Sequence, residues 1–236
     1  ISSVLPYNVC IMQISWKGQS CFQINTTRGK NNQVDIVIDP FSDDIGLRMP
    51  SLSADIVLVT HEHYDHNNIK AVRASSSEGL KQSPFVISTP GEYEIKDVYI
   101  RGIPAWHDDS SGKERGSIVI YTIEAEEMRL CHLGDLGQKE LTDKQLEEIG
   151  EVDVLMIPVG GVYTIGAKEA VKIMAQIEPK ITIPLHYHIP KLKIKLEGVD
   201  VFLKSLGIKQ AESLPKLSIK KKDILEEEAK IIVMKQ

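Results

Sequence analysis

The sequence predicts an α/β fold with two β-sheets covered by helices, and three observations carry that expectation. Short apolar runs bounded by turn residues recur along the whole chain of 236 residues. Helical spacing appears only between the later runs. A strand-rich first half followed by strand–helix alternation fits two packed sheets with helices on their outer faces.

The elements follow in order. Residues 1–11 precede Met12 and are read as an N-terminal extension without assigned function; 12–236 are read as one domain, a size at which layered α/β folds form a single unit. Ile11–Ile14, Cys21–Ile24, Val34–Ile38 and Ile56–Val59 read as short, largely buried strands. So do Val98–Ile103, Ile118–Ile123, the segment from Met128, Val152–Ile157, Ile181–Leu185 and Ile231–Met234. Thr142 with Gln145 forms a capping box for a helix whose Leu146 and Ile149 face inward and whose stop is Gly150. Ala167, Ala170, Val171, Met174 and Ile177 keep helical spacing, with Pro179 just beyond the end. The run Lys220–Lys222 beside Glu226–Glu228 reads as a solvated stretch before the last strand.

Directly after Ile56–Val59 comes His61-Glu62-His63-Tyr64-Asp65-His66, three imidazoles and two carboxylates in six residues of a chain with only seven histidines. Imidazole and carboxylate suit zinc, manganese or iron rather than calcium. On extended chain His61, His63 and Asp65 point one way and His66 the other, so a turn at Asp65 lets one segment serve two ions.

Further candidates lie at strand ends. His107 follows the Val98–Ile103 strand where a polar loop begins with Asp108-Asp109. Asp135 stands in Gly134-Asp135-Leu136-Gly137, where glycines allow a sharp turn; a carboxylate can bridge two cations, whereas an Asx-turn is the structural alternative. His186 ends the Ile181–Leu185 strand and is favoured over His188, which shares its face. His132 shares a face with Met128 and Leu130 and reads as a buried support beneath the ligands.

Composition narrows the function. A net charge of −5 disfavours a general polyanion-binding surface. Cys10, Cys21 and Cys131 have no zinc-knuckle spacing and are too few for a disulfide framework, so a reducing, cytoplasmic setting is expected. No apolar run approaches the ~20 residues that cross a bilayer.

On these residues the chain resembles the metallo-β-lactamase superfamily, and within it the branch similar to ascorbate-6-phosphate lactonase. Ile14-Ser15-Trp16-Lys17-Gly18-Gln19-Ser20-Cys21-Phe22 resembles that branch's opening hairpin, Ile38-Asp39-Pro40-Phe41 its Asp-Pro turn, and His61, His63, Asp65 and His66 the HxHxDH signature. Val159-Gly160-Gly161 and Pro184-Leu185-His186-Tyr187 carry the likeness to the branch. One departure is Gln19, where an early Gly-His-Ser turn commonly has histidine.

The resemblance implies an αβ/βα four-layer sandwich, two mixed sheets between helices. It implies one ion held by His61, His63 and His107, another by Asp65, His66 and His186, and a bridging Asp135. Two divalent ions are expected, zinc foremost, with manganese or iron as alternatives. The function implied is dinuclear hydrolysis of a small ester, lactone or phosphorylated metabolite, in which a hydroxide held between the ions attacks carbon or phosphorus; Asp65 and Asp135 are the catalytic candidates. Lys17, Lys168 and Arg101 are the cations expected to serve a phosphorylated substrate, and Tyr64, Tyr163 and Tyr187 weaker candidates for the developing oxyanion. The alternatives are an RNA phosphodiesterase, which needs a basic exosite, with weak β-lactamase side activity, and a metal-binding protein without catalysis. A small-molecule substrate is the expected partner; nucleic acid is disfavoured, no membrane is expected, and the sequence leaves the oligomeric state open. Glu92, in Pro90-Gly91-Glu92-Tyr93, reads equally well as a strand-entry turn.

Overall fold

The computed structural model describes residues 11–28, 32–75, 83–225 and 229–236. Residues 1–10, Cys10 among them, and Glu226–Glu228 lie outside that set. Strands run in chain order as β1 (Met12–Gly18), β2 (Cys21–Arg28), β3 (Asn32–Ile38), β4 (Leu52–Ala54), β5 (Ile56–Leu58), β6 (Val72–Ala74), β7 (Phe85–Ile87) and β8 (Gly91–Ile95). They continue as β9 (Val98–Trp106), β10 (Ser117–Ala125), β11 (Met128–His132), β12 (Val154–Pro158), β13 (Ile181–Leu185), β14 (Glu212–Leu214), β15 (Leu217–Ile219) and β16 (Lys230–Met234). The helices are α1 (Asp143–Ile149), α2 (Ala167–Ile177), α3 (Val199–Ser205) and α4 (Lys221–Leu225).

Two mixed sheets result, ordered β15-β1-β2-β3-β5-β7 and β14-β16-β13-β12-β11-β10-β9-β8, with a small β4-β6 pair beside them. Period-two alternation builds the core between them. Met12, Ile14 and Trp16 of β1, Phe22 and Ile24 of β2, Val34, Ile36 and Ile38 of β3, and Ile56 and Leu58 of β5 join the apolar residues of the second sheet in one cluster. The intervening Cys21, Val37, Val57 and Val59 face the other way, into a second cluster with Phe41, Ile45, Leu52, Val72 and Leu192. Thus the outer face of the first sheet is covered by a 3₁₀ turn at Asp43–Ile45, the β4-β6 pair and the loop carrying Leu192. The four α-helices contribute to the first cluster instead: Ile149 from α1, Ala170 and Ile173 from α2, Phe202 from α3 and Ile224 from α4.

α1 forms where its capping box predicts, the Thr142 hydroxyl accepting from the Gln145 N–H while the Gln145 side chain accepts from the Thr142 N–H. The lysine run departs from expectation. Lys220–Lys222 leads into α4, and the Lys221 Nζ donates to both carboxylate oxygens of Asp153 at 2.9 Å, so this lysine anchors a helix instead of facing water alone.

The strand directions place the loops that matter. β3, β5 and β7 are parallel, and β1 runs with them because it is antiparallel to β2, which is antiparallel to β3. In the other sheet β11, β12 and β13 are parallel, and β9 shares their direction across the antiparallel β10. The β1–β2 turn and the exits of β3, β5, β9, β11 and β13 therefore lie at the carboxyl ends of their strands, the position where α/β sheets carry their sites. Every polar cluster described next comes from these six points.

Candidate metal centre

Two groups of potential ligands stand together: His61, His63 and His107, and Asp65, His66, Asp135 and His186, each group with its ligand atoms within 4.8 Å of one another. All seven residues singled out in the sequence are brought together. His61, Asp65, His66, His107, Asp135 and His186 are buried, while His63 is exposed. His188 is left out. It lies on the exposed side of the loop beyond β13, its N–H bonded to the Glu197 carbonyl.

The hydrogen bonds fix which ring nitrogen faces inward, an assignment made from the network. The Thr60 hydroxyl, 2.7 Å from Asp39 Oδ2, donates its one proton to that carboxylate. Its oxygen can then only accept from His61 Nδ1 at 3.0 Å, leaving a lone pair on His61 Nε2, which faces His63 Nδ1 at 3.0 Å. Asp39 also accepts from His66 Nδ1 at 2.9 Å. The remaining His66 Nε2 is buried without a hydrogen-bond partner and lies 3.2 Å from Asp135 Oδ2 and 3.4 Å from Asp65 Oδ2. The same Asp135 oxygen is 3.1 Å from His186 Nε2 and 3.7 Å from His107 Nε2 of the other group. Lone pairs and carboxylate oxygens aimed at one another, with an orphaned nitrogen among them, are the arrangement a cation resolves; nitrogen and oxygen donors without thiolate suit zinc, manganese or iron.

Electrostatics agree. Burial pushes His61 down to about 2, so it stays neutral and able to ligate. Burial lowers His107 as well. It acts against His66 too, yet the charges of Asp135 and Asp39 outweigh it and hold that ring well above the ordinary imidazole range. Burial opposes ionisation of Asp135, but His186 and His66 keep its carboxyl well below the carboxylate range. Asp65 is likewise held to about 2, burial being overcome by its contact with His66. Negative charge persists here, which favours cations.

Around the ligands stands a set of holders. Gln19 Nε2 donates to Asp65 Oδ2 at 3.0 Å, and the Gln19 carbonyl accepts from the His186 N–H at 3.1 Å. Ser20 Oγ donates to Asp135 Oδ1 at 3.2 Å. Gln19, Asp39 and His186 all hold left-handed φ values, 51°, 47° and 50°, a concentration of strain typical of functional sites. His132 bonds to backbone beside these holders. Its Nδ1 accepts from the Gly134 N–H at 3.1 Å, so its Nε2 carries the proton donated to the Ser20 carbonyl at 3.0 Å, and no lone pair is left for a metal. Asp108 was legible only as part of a polar loop. Its carboxylate takes the N–H groups of Ser110, Gly112, Glu114 and Arg115 and the Ser110 hydroxyl, fixing the loop behind His107. Burial opposes its charge, but these donors hold its pKa below the usual range.

The secondary candidates divide. Tyr187 is buried, stacked on Trp16 with ring centroids 5.1 Å apart, and so structural. Tyr64 and Tyr163 are exposed. Arg101 is engaged with Glu92 at 2.6 Å, which also accounts for Glu92. Lys17 is half-buried beside the carboxyl-terminal Gln236, whose side chain bonds the Lys17 carbonyl.

A model of the β-lactamase superfamily domain matches residues 13–186. A UPF0173 metal-dependent hydrolase of Methanopyrus kandleri is 30% identical over 200 residues, 75% of this chain and 84% of that protein. One from Thermoplasma volcanium is 33% identical over 199 residues, with 75% and 84% covered. A crystal structure from Thermotoga maritima, described as a candidate Zn-dependent hydrolase of the metallo-β-lactamase superfamily, is 36% identical, with TM-score 0.73, 94% of this chain and 98% of that chain covered.

Proposed function

This chain belongs to the metallo-β-lactamase superfamily, in the UPF0173 family of metal-dependent hydrolases, and from that premise we propose that it uses two divalent ions, zinc foremost, to hydrolyse a small ester, lactone or phosphorylated metabolite. The observation that carries the reading is Asp135, whose Oδ2 reaches His66 and His186 of one ligand group and His107 of the other. His61, His63 and His107 would hold one ion and Asp65, His66 and His186 the second, with Asp135 shared. Divalent ions in such a pair supply Lewis acidity, polarising a carbonyl or phosphoryl oxygen and making bound water acidic near neutral pH.

The chain's own residues prepare that chemistry. Thr60 and Asp39 fix the tautomers of His61 and His66 before any ion arrives, so binding needs no ring rearrangement. Gln19 and Ser20 hold Asp65 and Asp135 by their outer hydrogen bonds. Beside His107 opens a cleft of about 240 Å³, walled by Tyr163, Arg115 and Lys139, a space for a small substrate. The resemblance of Val159-Gly160-Gly161 and Pro184-Leu185-His186-Tyr187 to the lactonase-like branch is what favours the ester and lactone arm of the proposal. Cys21 and Cys131, buried free thiols that burial pushes up, suit a reducing cytoplasm.

The test is metal content per chain, paired with hydrolysis of a lactone, an aryl ester, a phosphodiester and a β-lactam before and after chelation. We expect near two ions and chelator-sensitive ester or lactone turnover, lost in Asp135→Ala together with bound metal. Two bound ions with full turnover in Asp135→Ala would refute the shared ligand, and turnover confined to phosphodiesters would replace the substrate class.

A further inference from the structure

We propose that Arg115 recognises a carboxylate or phosphate group on the substrate, so that the hydrolase is selective for anionic esters; the inference rests on the hydrolytic reading of the metal centre above. Arg115 stands on the wall of the cleft that His107 also lines. Its closeness to the metal ligands is fixed by the backbone. The His107 N–H donates to the Gly116 carbonyl at 3.1 Å, and the Arg115 N–H donates to Asp108 Oδ2 at 2.8 Å, so the loop carrying the guanidinium is tied at both its root and its middle.

The side chain is also oriented. Its guanidinium carbon lies 5.7 Å from the centre of the Tyr163 ring, across the same cleft. A guanidinium held over a ring offers a planar fork of N–H donors, which matches a carboxylate or phosphate with two parallel hydrogen bonds. A lysine has neither the plane nor the fork.

The surrounding charges single Arg115 out. Lys139, the other cation of the cleft, is taken up by Asp109 at 2.5 Å. Asp108 is satisfied by its five donors within the loop. Among the described residues Arg115 has one acidic contact, 3.8 Å to Glu114, a neighbour whose own side chain is mostly exposed, and such a pair contributes little in water. Glu169 stands in the cleft as the remaining acid and would repel an anion placed toward α2, steering it to the Arg115 side. Arg101, Lys17 and Lys168, the cations the sequence offered for this role, are not among the residues lining the cleft.

The experiment compares 4-nitrophenyl pentanoate with the mono-4-nitrophenyl ester of glutaric acid, which share a leaving group and an acyl length and differ in a terminal methyl against a terminal carboxylate. It uses the metal-loaded wild type, Arg115→Gln and Arg115→Lys, with metal content and melting temperature measured on each. The ratio of kcat/KM for the anionic over the neutral ester should fall about ten- to hundredfold in Arg115→Gln, chiefly through KM, and less in Arg115→Lys. Calorimetric binding of glutarate should weaken in parallel. An unchanged ratio with unchanged glutarate affinity would overturn the assignment. If the wild type with two ions hydrolyses neither ester, the hydrolytic reading for esters fails by itself, and glutarate binding alone decides for or against Arg115. If Arg115→Gln does not fold, the same two readouts on Arg115→Lys decide.

Discussion

Two residues that touch no substrate separate support of the ligands from support of the fold. Asp39 is buried and serves three donors, the Thr60 N–H and hydroxyl and His66 Nδ1. His132 is equally buried but joins only backbone, Ser20 and Gly134. Asp39→Ala should therefore weaken metal binding about 10–100-fold, because it frees the tautomers of His61 and His66 together. His132→Ala should instead destabilise the fold, by about 1–3 kcal/mol for each buried backbone group left unpaired, with the metal count preserved. Chelator competition and denaturant unfolding on both variants check this. Metal loss from His132→Ala without destabilisation would promote His132 to a ligand.

At the scale of elements, ligand geometry depends on two places where backbones meet without room for a methyl group. A Cβ on Gly137 would run into the His107 carbonyl, and one on Gly160 into the His186 carbonyl. Gly137 is held there by its N–H bond to the Trp106 carbonyl, and Gly160 by accepting from the Glu197 N–H. Gly137→Ala should thus displace His107 and impair the three-histidine group, whereas Gly160→Ala should displace His186 and impair the other. Metal titration that finds both variants losing the same site equally would contradict this division. The glycines at 134 and 137 were visible in the sequence as turn residues, but the partners they pack against were not, since close approach between distant segments leaves no local signal. The same limit explains Gln19, Ser20 and Thr60, ordinary residues whose role comes from contact with Asp65, Asp135 and His61. The candidate ligands themselves were legible because imidazoles and carboxylates at strand exits are rare and chemically specific. β1, β3, β5 and β10 were legible as apolar runs bounded by turn residues, whereas β4, β6, β7, β14 and β15, at three residues each, carry no such run.

On the scale of the whole molecule, the metal centre is a joint between the two sheets. His61, His63, Asp65 and His66 follow β5 of the first sheet, while His107, Asp135 and His186 follow β9, β11 and β13 of the second. Hydrogen bonds already cross this joint, among them Ser20 Oγ to Asp135, the Val119 N–H to the Thr60 carbonyl, the His186 N–H to the Gln19 carbonyl, His132 Nε2 to the Ser20 carbonyl and the Tyr121 hydroxyl to the Val59 carbonyl. Ions held by ligands from both sheets, as proposed, would bind only the native state and stabilise it by mass action: an ion at about a thousand times its dissociation constant would add about 4 kcal/mol, or roughly 8–16 °C in melting temperature for a chain of this size. Acid should act in the opposite direction on the stripped chain. Burial holds His61 at about 2 and lowers His107 and His132, so below about 6.5 the unfolded chain binds protons that these native rings refuse, and stability falls with pH. His66 works the other way, since its raised pKa contributes stability that is fully present below about 6.5 and is lost only as pH rises through the folded value. Three rings oppose one. Melting curves with and without chelator at pH 7.5 and 5.5 should then show the largest metal-dependent gain at the higher pH, where fewer protons must be displaced for the ions to bind, and a lower melting temperature for the stripped chain at the lower pH. A stripped chain that melts at the same temperature as the loaded one would mean that the native state does not bind the ions in preference to the unfolded chain, which would overturn the joint.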